Sequence, residues 1–158
     1  MIQHPFPPLY DEKSKILILG SFPSVKSREQ NFFYGHPQNR FWKVVSRIFE
    51  CEEPKTIDDK KNFLHKNHIA LWDVIAACEI TGSSDSSIKN VIPNDLTRIL
   101  CSAPIEKIFV NGRASEKYYT KYQKDILGRE AIYLPSTSPA NAAWTVQRLA
   151  NEWRIIRG

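Results

Sequence analysis

Ile16-Leu17-Ile18-Leu19-Gly20-Ser21-Phe22-Pro23-Ser24 is an apolar run that ends in a turn-forming Gly-Ser pair and an aromatic residue. Such a run is typical of a central parallel strand that is covered on both faces. Three later segments repeat the pattern, so four strands are predicted, roughly over residues 15–19, 68–74, 107–111 and 131–134. A Gly, Pro, Asp or Asn stands at or near the end of each one. The sequence therefore predicts a four-stranded, mostly parallel sheet.

Helical segments alternate with these strands. Five helices are predicted from apolar residues at 3.6-residue spacing and from capping residues. One begins near Asn39, one covers residues 58–66, one follows an N-cap at Asn94, one lies around residues 114–122 and the last begins near Asn141. The alternation predicts an α/β fold with three layers, α/β/α, around the central sheet. The Ser-rich segment 81–87 is interpreted as a surface loop.

Length and composition limit the classes of protein that remain. The chain has 158 residues, of which 42% are apolar, which suits one domain over residues 1–158. A net charge of +5 suits a polyanionic partner. Cys51, Cys78 and Cys101 are odd in number and lack zinc-ligand spacing, so buried free thiols in a reducing compartment are expected. No signal peptide or membrane-spanning run is visible, and we expect a cytoplasmic protein without a membrane partner.

The residues that follow each predicted strand carry the candidate chemistry, because ligands of parallel α/β sheets bind beyond the carboxyl ends of the strands. They provide an aromatic ring, amides, hydroxyls and backbone donors, and no set of metal ligands is expected among them. In chain order they are Gly20, Ser21 and Phe22, then Asp73 and the later Asp85, then Asn111, and finally Ser136, Thr137 and Ser138. Asn39 joins them from a loop-to-helix junction. The combination suits a pocket that holds a flat heterocycle.

Three segments together resemble the uracil-DNA glycosylase superfamily, and within it the hypoxanthine-DNA glycosylase branch. Residues 20–24 resemble the first superfamily motif of that branch, and residues 135–141 resemble the second. Residues 36–42, His-Pro-Gln-Asn-Arg-Phe-Trp, are also similar to a stretch of the mismatch-specific uracil-DNA glycosylases. The resemblance spans most of the chain and implies a uracil-DNA glycosylase-like fold. It further implies a monofunctional DNA-deoxyinosine glycosylase of base excision repair that removes deaminated bases, chiefly hypoxanthine, without a cofactor.

The same resemblance implies the site residues. Other branches carry a catalytic Asp or Asn inside the first motif, where this chain has Ser21 and Phe22, so the role of orienting water passes to Asn39. Base binding is implied for Gly20, Ser21, Phe22 and Asn111, and phosphate binding for Ser136, Thr137 and Ser138 at the start of the last helix. The partner would be double-stranded DNA, with single-stranded DNA also open, and the protein is expected to be a monomer.

The residues also allow simpler interpretations. Asn39 is a good helix N-cap, Phe22 could belong to the core, and Asn111 before Gly112 is a good turn former. His36 is either a loop residue or a general base, and one of Asp73 and Asp85 could assist the pocket. The alternatives for function are a mismatch-type uracil-DNA glycosylase, a hydrolase of free nucleosides and a damage-binding module without catalysis. Hypoxanthine and uracil present the same carbonyl and ring N–H pair, so Asn111 alone does not separate them.

Overall fold

A computed structural model describes all 158 residues of the chain. In chain order, the strands are β1 (Ile2–Gln3), β2 (Ile16–Gly20), β3 (Ile69–Asp73), β4 (Ile75–Glu79), β5 (Lys89–Pro93), β6 (Lys107–Asn111) and β7 (Ile132–Leu134). The α-helices are α1 (Val25–Gln30), α2 (Phe41–Ile48), α3 (Ile57–Lys66), α4 (Thr97–Leu100), α5 (Arg113–Tyr122), α6 (Lys124–Leu127) and α7 (Val146–Trp153). None of these helices has the length and apolar character needed to cross a bilayer.

The central sheet has the strand order β3-β2-β6-β7, and all of its pairs are parallel. Leu17, Ile18 and Leu19 of β2 are fully buried, as expected for a strand with neighbours on both sides and layers on both faces. Gly20 pairs with Asp73 in the register between β2 and β3. Asn111 follows Val110, the partner of Leu19 in β6, so three adjacent strands end side by side. The predicted four-stranded parallel sheet is confirmed.

A second, antiparallel sheet was not predicted from the sequence. It has the order β1-β4-β5, and β4 begins only one residue after β3 ends. The apolar run from Ile69 to Cys78 contains no turn signal, because a bend at Val74 is enough to pass the chain from one sheet to the other. Strand β5 is mostly exposed, so it lacks the apolar alternation that would mark it as a strand.

Two predicted helix starts are wrong. At the first, α4 is a single turn that begins at Thr97, and the Thr97 N–H donates to the Asp95 carboxylate rather than to Asn94. At the second, α7 begins at Val146 with Thr145 as N-cap, instead of near Asn141, whose amide donates to the Ser136 carbonyl. The segment from Ser136 to Trp144 is therefore a loop, and its hydroxyls do not lie at a helix N-terminus as expected.

The remaining helices agree with the pattern. Helix α2 begins at Phe41, close to the predicted start, and packs its apolar face against α7. Helices α3 and α5 cover the predicted ranges. Cys78 is buried as expected, whereas Cys51 and Cys101 are exposed, and all three thiols are free. The exposed pair corrects the expectation that all three would lie in the core.

Candidate active site

One cavity of about 290 Å³ lies beyond the carboxyl ends of β2, β3 and β6. All of the predicted site residues line it, namely Gly20, Ser21, Phe22, Asn39, Asn111, Ser136, Thr137 and Ser138. Asp73, Asp85 and His36 line it as well. The structure thus brings together groups from six separate parts of the sequence, around residues 20–22, 36–39, 73, 85, 111 and 136–138. No three His, Cys, Asp or Glu side chains are arranged so that they could hold a metal ion.

Gly20 is required by the close approach of a carboxylate. A Cβ atom built on Gly20 would lie 2.4 Å from Asp73 Oδ1, a distance that no side chain can occupy. The same Cβ would lie 3.5 Å from the Tyr34 hydroxyl. Gly20 therefore leaves room for the Asp73 carboxylate and the Tyr34 phenol at the floor of the cavity.

Ser21 and Phe22 continue from Gly20 along the cavity wall. Ser21 Oγ donates a 2.8 Å hydrogen bond to Asp85 Oδ1, which fixes the Ser-rich loop over the cavity. Burial against the wall raises the pKa of the Asp85 carboxyl, the bond from Ser21 opposes this shift, and the charge of Asp73 adds to it. The Phe22 ring is mostly buried but reaches the cavity lining. The Arg28 guanidinium lies 5.6 Å from its centroid.

Asn39 lines the cavity from the loop that precedes α2. Its Oδ1 accepts a 2.9 Å hydrogen bond from the Phe41 N–H, so the capping role offered by the sequence is present. One oxygen lone pair and the Nδ2 protons have no partner in the chain. The cap therefore fixes the carboxamide while it leaves groups that can bind water.

Asn111 is held from behind by Thr137. Asn111 Nδ2 donates to Thr137 Oγ1 at 3.0 Å, and Asn111 Oδ1 accepts the Thr137 N–H at 3.1 Å. Thr137 itself is only 1% exposed. The backbone N–H settles which end of the amide is the oxygen, because only an oxygen can accept that bond. Asn111 thus keeps one Nδ2 proton that Thr137 does not engage, in a fixed orientation beside the Tyr34 hydroxyl.

Arg40 holds the loop that carries Thr137, a role that the sequence analysis missed. Its guanidinium donates to the carbonyl oxygens of Thr137 (3.3 Å), Ser138 (2.7 Å), Asn141 (3.0 Å) and Trp144, and its backbone N–H also donates to Thr137. A cation at the start of a helix is disfavoured by the helix dipole. That unfavourable placement, directly beside Asn39, was the available signal that Arg40 has another task.

A buried His4–Asp73 pair was also missed. His4 Nε2 donates a 2.7 Å hydrogen bond to Asp73 Oδ2, and both side chains are almost fully buried. Asp73 was noticed at its strand end, but nothing near His4 in the sequence points to a partner so far along the chain. Tyr34 lies close by, with its hydroxyl buried and without a partner. Burial raises the pKa of the Tyr34 phenol, the charge of Asp73 adds to the shift, and the neighbouring Asn111 amide opposes it.

Comparison with known proteins identifies relatives that align along most of the chain. The sequence profile of the uracil DNA glycosylase superfamily matches residues 7–157. A hypoxanthine DNA glycosylase of Methanosarcina acetivorans is 36% identical over 158 residues, which cover 99% of this chain and 98% of the relative. One from Methanosarcina barkeri is 35% identical over 138 residues and 86% of each chain.

A solved structure supports the same placement. The solution NMR structure of a Methanosarcina acetivorans protein, provisionally named uracil DNA glycosylase, superposes with a TM-score of 0.84 at 34% identity. The superposition covers 99% of this chain and 98% of that protein. The predicted fold class is thereby confirmed, and the chain belongs to the uracil DNA glycosylase superfamily.

Proposed function

We propose that the chain is a DNA glycosylase that removes hypoxanthine from DNA by hydrolysing the N-glycosidic bond. The observation that carries this proposal is the single cavity in which an aromatic ring, two oriented amides and a hydroxyl-bearing loop meet. Two relatives named hypoxanthine DNA glycosylases align along 99% and 86% of the chain and support this choice of base. The substrate is DNA, and we propose that the protein acts on duplexes as a monomer.

The base must leave the duplex before these groups can reach it. A glycosylase extrudes the target nucleotide and holds the base by stacking and by hydrogen bonds to its edge. Phe22 supplies the ring for stacking. The free Nδ2 proton of Asn111 donates to the ring carbonyl, and Thr137 keeps the amide in the orientation that this bond requires. The backbone of Gly20 and Ser21 borders the same position.

Bond cleavage builds positive charge on the sugar and negative charge on the departing base. Donors aimed at the base lower the energy of that state, and Asn111 is such a donor. Asn39 orients the attacking water, since its carboxamide keeps a free lone pair and two amide protons while the Phe41 N–H holds it in place. The cavity lining contains no lysine, so hydrolysis by water, rather than attack by an amine, is the chemistry that this lining supports.

Contacts to the DNA backbone stay a prediction for Ser136, Thr137 and Ser138. The hydroxyls of Ser136 and Ser138 are half-buried, and each accepts a backbone N–H from its own loop, so each keeps a proton to donate to a phosphate. Thr137 is buried and engaged with Asn111, so its contribution to this loop is mainly to position that amide. The net charge of +5 supports a polyanionic partner.

The test uses excess protein and labelled duplexes that carry one deoxyinosine or one deoxyuridine, followed by alkali and a denaturing gel. We expect the parent to cut at deoxyinosine and Asn39→Ala to cut at least 100-fold more slowly while it remains folded. Asn39→Asp keeps an acceptor for the Phe41 N–H, so it separates loss of the cap from loss of the carboxamide.

Other outcomes would redirect the assignment. Preferential cutting at deoxyuridine would support the uracil alternative, which agrees with the provisional name of the structural neighbour. Turnover of free inosine without cutting of either duplex would support a nucleoside hydrolase. Failure to cut both duplexes would refute the glycosylase proposal.

A further inference from the structure

We propose that Asp73, oriented by His4, is the residue that separates deaminated bases from adenine in this cavity. Its free carboxylate oxygen accepts the ring N–H that hypoxanthine carries and adenine lacks. The inference rests on the proposed function, because it assumes that a nucleobase enters this cavity. It assigns a specificity role to a buried, hydrogen-bonded carboxylate that stacking and the two amides leave unexplained.

The backbone places Asp73 beside the base position. Asp73, Gly20 and Asn111 end three adjacent strands, so the Asp73 and Asn111 backbones are about 10 Å apart with glycine between them. Asp73 Oδ1 takes the space where a Gly20 side chain would begin. It therefore lies at the floor of the cavity near the Tyr34 hydroxyl, and no hydrogen bond within the chain engages it.

His4 fixes the direction of this carboxylate. Its Nε2 donates to Asp73 Oδ2 at 2.7 Å, so the carboxyl group cannot rotate and Oδ1 stays toward the cavity. The Phe6 N–H donates to His4 Nδ1 at 3.4 Å, which requires that Nδ1 carry no proton. Asp73 Oδ1, the oxygen that His4 does not contact, is left as an acceptor toward the cavity. Phe6 and Phe22 pack against the imidazole at centroid distances of 4.5 and 6.0 Å and hold the ring.

In this proposal Asn111 binds the ring carbonyl of the base, and Asp73 binds the neighbouring ring N–H. The Thr137 N–H uses one lone pair of Asn111 Oδ1 and fixes the amide, and the Nδ2 proton that Thr137 does not engage suits the ring carbonyl. Asp73 Oδ1 lines the same cavity and, as a carboxylate oxygen, is the stronger acceptor for the neighbouring ring N–H. An ionised carboxylate only accepts hydrogen bonds, so the N1 lone pair of adenine would face it without a proton between them. A site built for one hydrogen-bond pattern rejects a base that lacks it far more strongly than a merely apolar pocket does.

The test compares three duplexes that carry deoxyinosine, deoxyadenosine or deoxynebularine at one position. Nebularine keeps the purine rings but has a lone pair at N1 and no carbonyl. Single-turnover rates are measured for the parent, for Asp73→Asn and for Asp85→Asn, which alters the other carboxylate of the cavity. We expect Asp73→Asn to lower the ratio of the deoxyinosine rate to the nebularine rate at least tenfold, because a carboxamide can donate to a bare N1. Asp85→Asn should change that ratio by less than about threefold.

A structural role for Asp73 gives a different result. All rates would then fall together and the ratio would stay constant, which would overturn the inference. If Asp73→Asn does not fold, His4→Gln and His4→Phe replace it, since glutamine can donate to Asp73 Oδ2 and phenylalanine cannot. The ratio should be kept by His4→Gln and should contract in His4→Phe, and equal ratios in the two variants would again overturn the inference.

Binding measurements separate this inference from the proposed function. Fluorescence polarisation with the same duplexes reports selectivity without cleavage. If the parent cuts no duplex yet prefers deoxyinosine over deoxyadenosine in a manner that Asp73→Asn removes, the glycosylase proposal fails and the role of Asp73 stands. If the parent cuts deoxyinosine and Asp73→Asn keeps the full selectivity, the glycosylase proposal stands and the role of Asp73 is refuted. Absence of both cleavage and preference would refute the two together.

Discussion

Replacing Arg40 by alanine removes a guanidinium that donates to four carbonyl oxygens of the loop from Ser136 to Trp144. This loop carries Thr137, and Thr137 holds both ends of the Asn111 carboxamide. The substitution leaves Asn39 and its cap in place. We expect the loop, and with it Asn111, to lose its fixed position while the core of the protein stays folded.

The expected loss of rate in Arg40→Ala follows from the hydrogen bonds that the substitution removes. A net hydrogen bond contributes about 0.5–1.5 kcal/mol, and bonds to charged groups lie at or above the upper end. Three of the four carbonyls keep a backbone donor after the substitution, those of Thr137, Ser138 and Asn141, so the lower part of the range applies to them. The carbonyl of Trp144 loses its side-chain donor. The sum is about 3 kcal/mol of loop ordering, and that energy corresponds to about a 100-fold loss in rate if the ordered loop is needed for catalysis.

The assay is a single-turnover measurement on a duplex with one deoxyinosine, together with hydrogen exchange of residues 136–144. The rate for Arg40→Ala should fall about 100-fold and exchange in the loop should rise, whereas thermal unfolding should shift by only a few degrees because the loop can open locally. Arg40→Lys should lie in between, since one ammonium cannot span four carbonyls. Arg47→Gln is the matched control on the same helix, because Arg47 is exposed and contacts only Gln147.

Two results would refute this reasoning. One is a folded Arg40→Ala variant whose rate stays within about threefold of the parent value while its loop exchanges faster, since catalysis would then not need the ordered loop. The other is an equal fall in rate for Arg47→Gln, which would indicate that the loss comes from positive charge near DNA rather than from the contacts of Arg40.

Gly20→Ala should lower the rate at deoxyinosine at least tenfold and destabilise the protein by about 1–3 kcal/mol, because the new Cβ would lie 2.4 Å from Asp73 Oδ1. Rates and denaturant unfolding measure the two effects, and parent-like values in both would contradict the packing described for the cavity floor. Asp85→Asn should raise the melting temperature at pH 7, since the folded state raises the pKa of Asp85 and so disfavours its charged form. This gain in melting temperature should shrink as the pH falls to about 4, where the unfolded carboxyl is also protonated. A gain that grows toward acid pH would show that the pKa shift of Asp85 has the opposite sign.

The central sheet could be predicted because its cause is local. Leu17, Ile18 and Leu19 must be apolar without alternation when both faces of the strand are covered, and that pattern is visible in a single sequence. The second sheet could not be predicted in the same way. The bend at Val74 and the exposed strand β5 depend on pairing between segments, and neither carries a distinctive residue pattern.

The residues of the candidate site show the same difference between local and long-range causes. Gly20 and Asn111 were found because they follow buried strands, and the fold brings the ends of such strands together. His4 and Arg40 were missed because their partners, Asp73 and the loop of Thr137, lie far away in the sequence. The start of α7 was misplaced for a related reason. The amide of Asn141, which looks like a helix cap in the sequence, donates to the Ser136 carbonyl instead.

The contacts of Arg40 explain why a cation stands where the helix dipole disfavours it. Asn39 and Arg40 are consecutive, so the residue proposed to hold water and the residue that holds the loop share one backbone. The Thr137 carbonyl accepts from Arg40, and the Thr137 N–H and hydroxyl engage Asn111. A continuous path of three residues thus fixes the distance between the water side and the base side of the cavity. A lysine would supply the same charge, but only the planar guanidinium can reach several carbonyls at once, so the structure requires arginine for its geometry rather than for its charge.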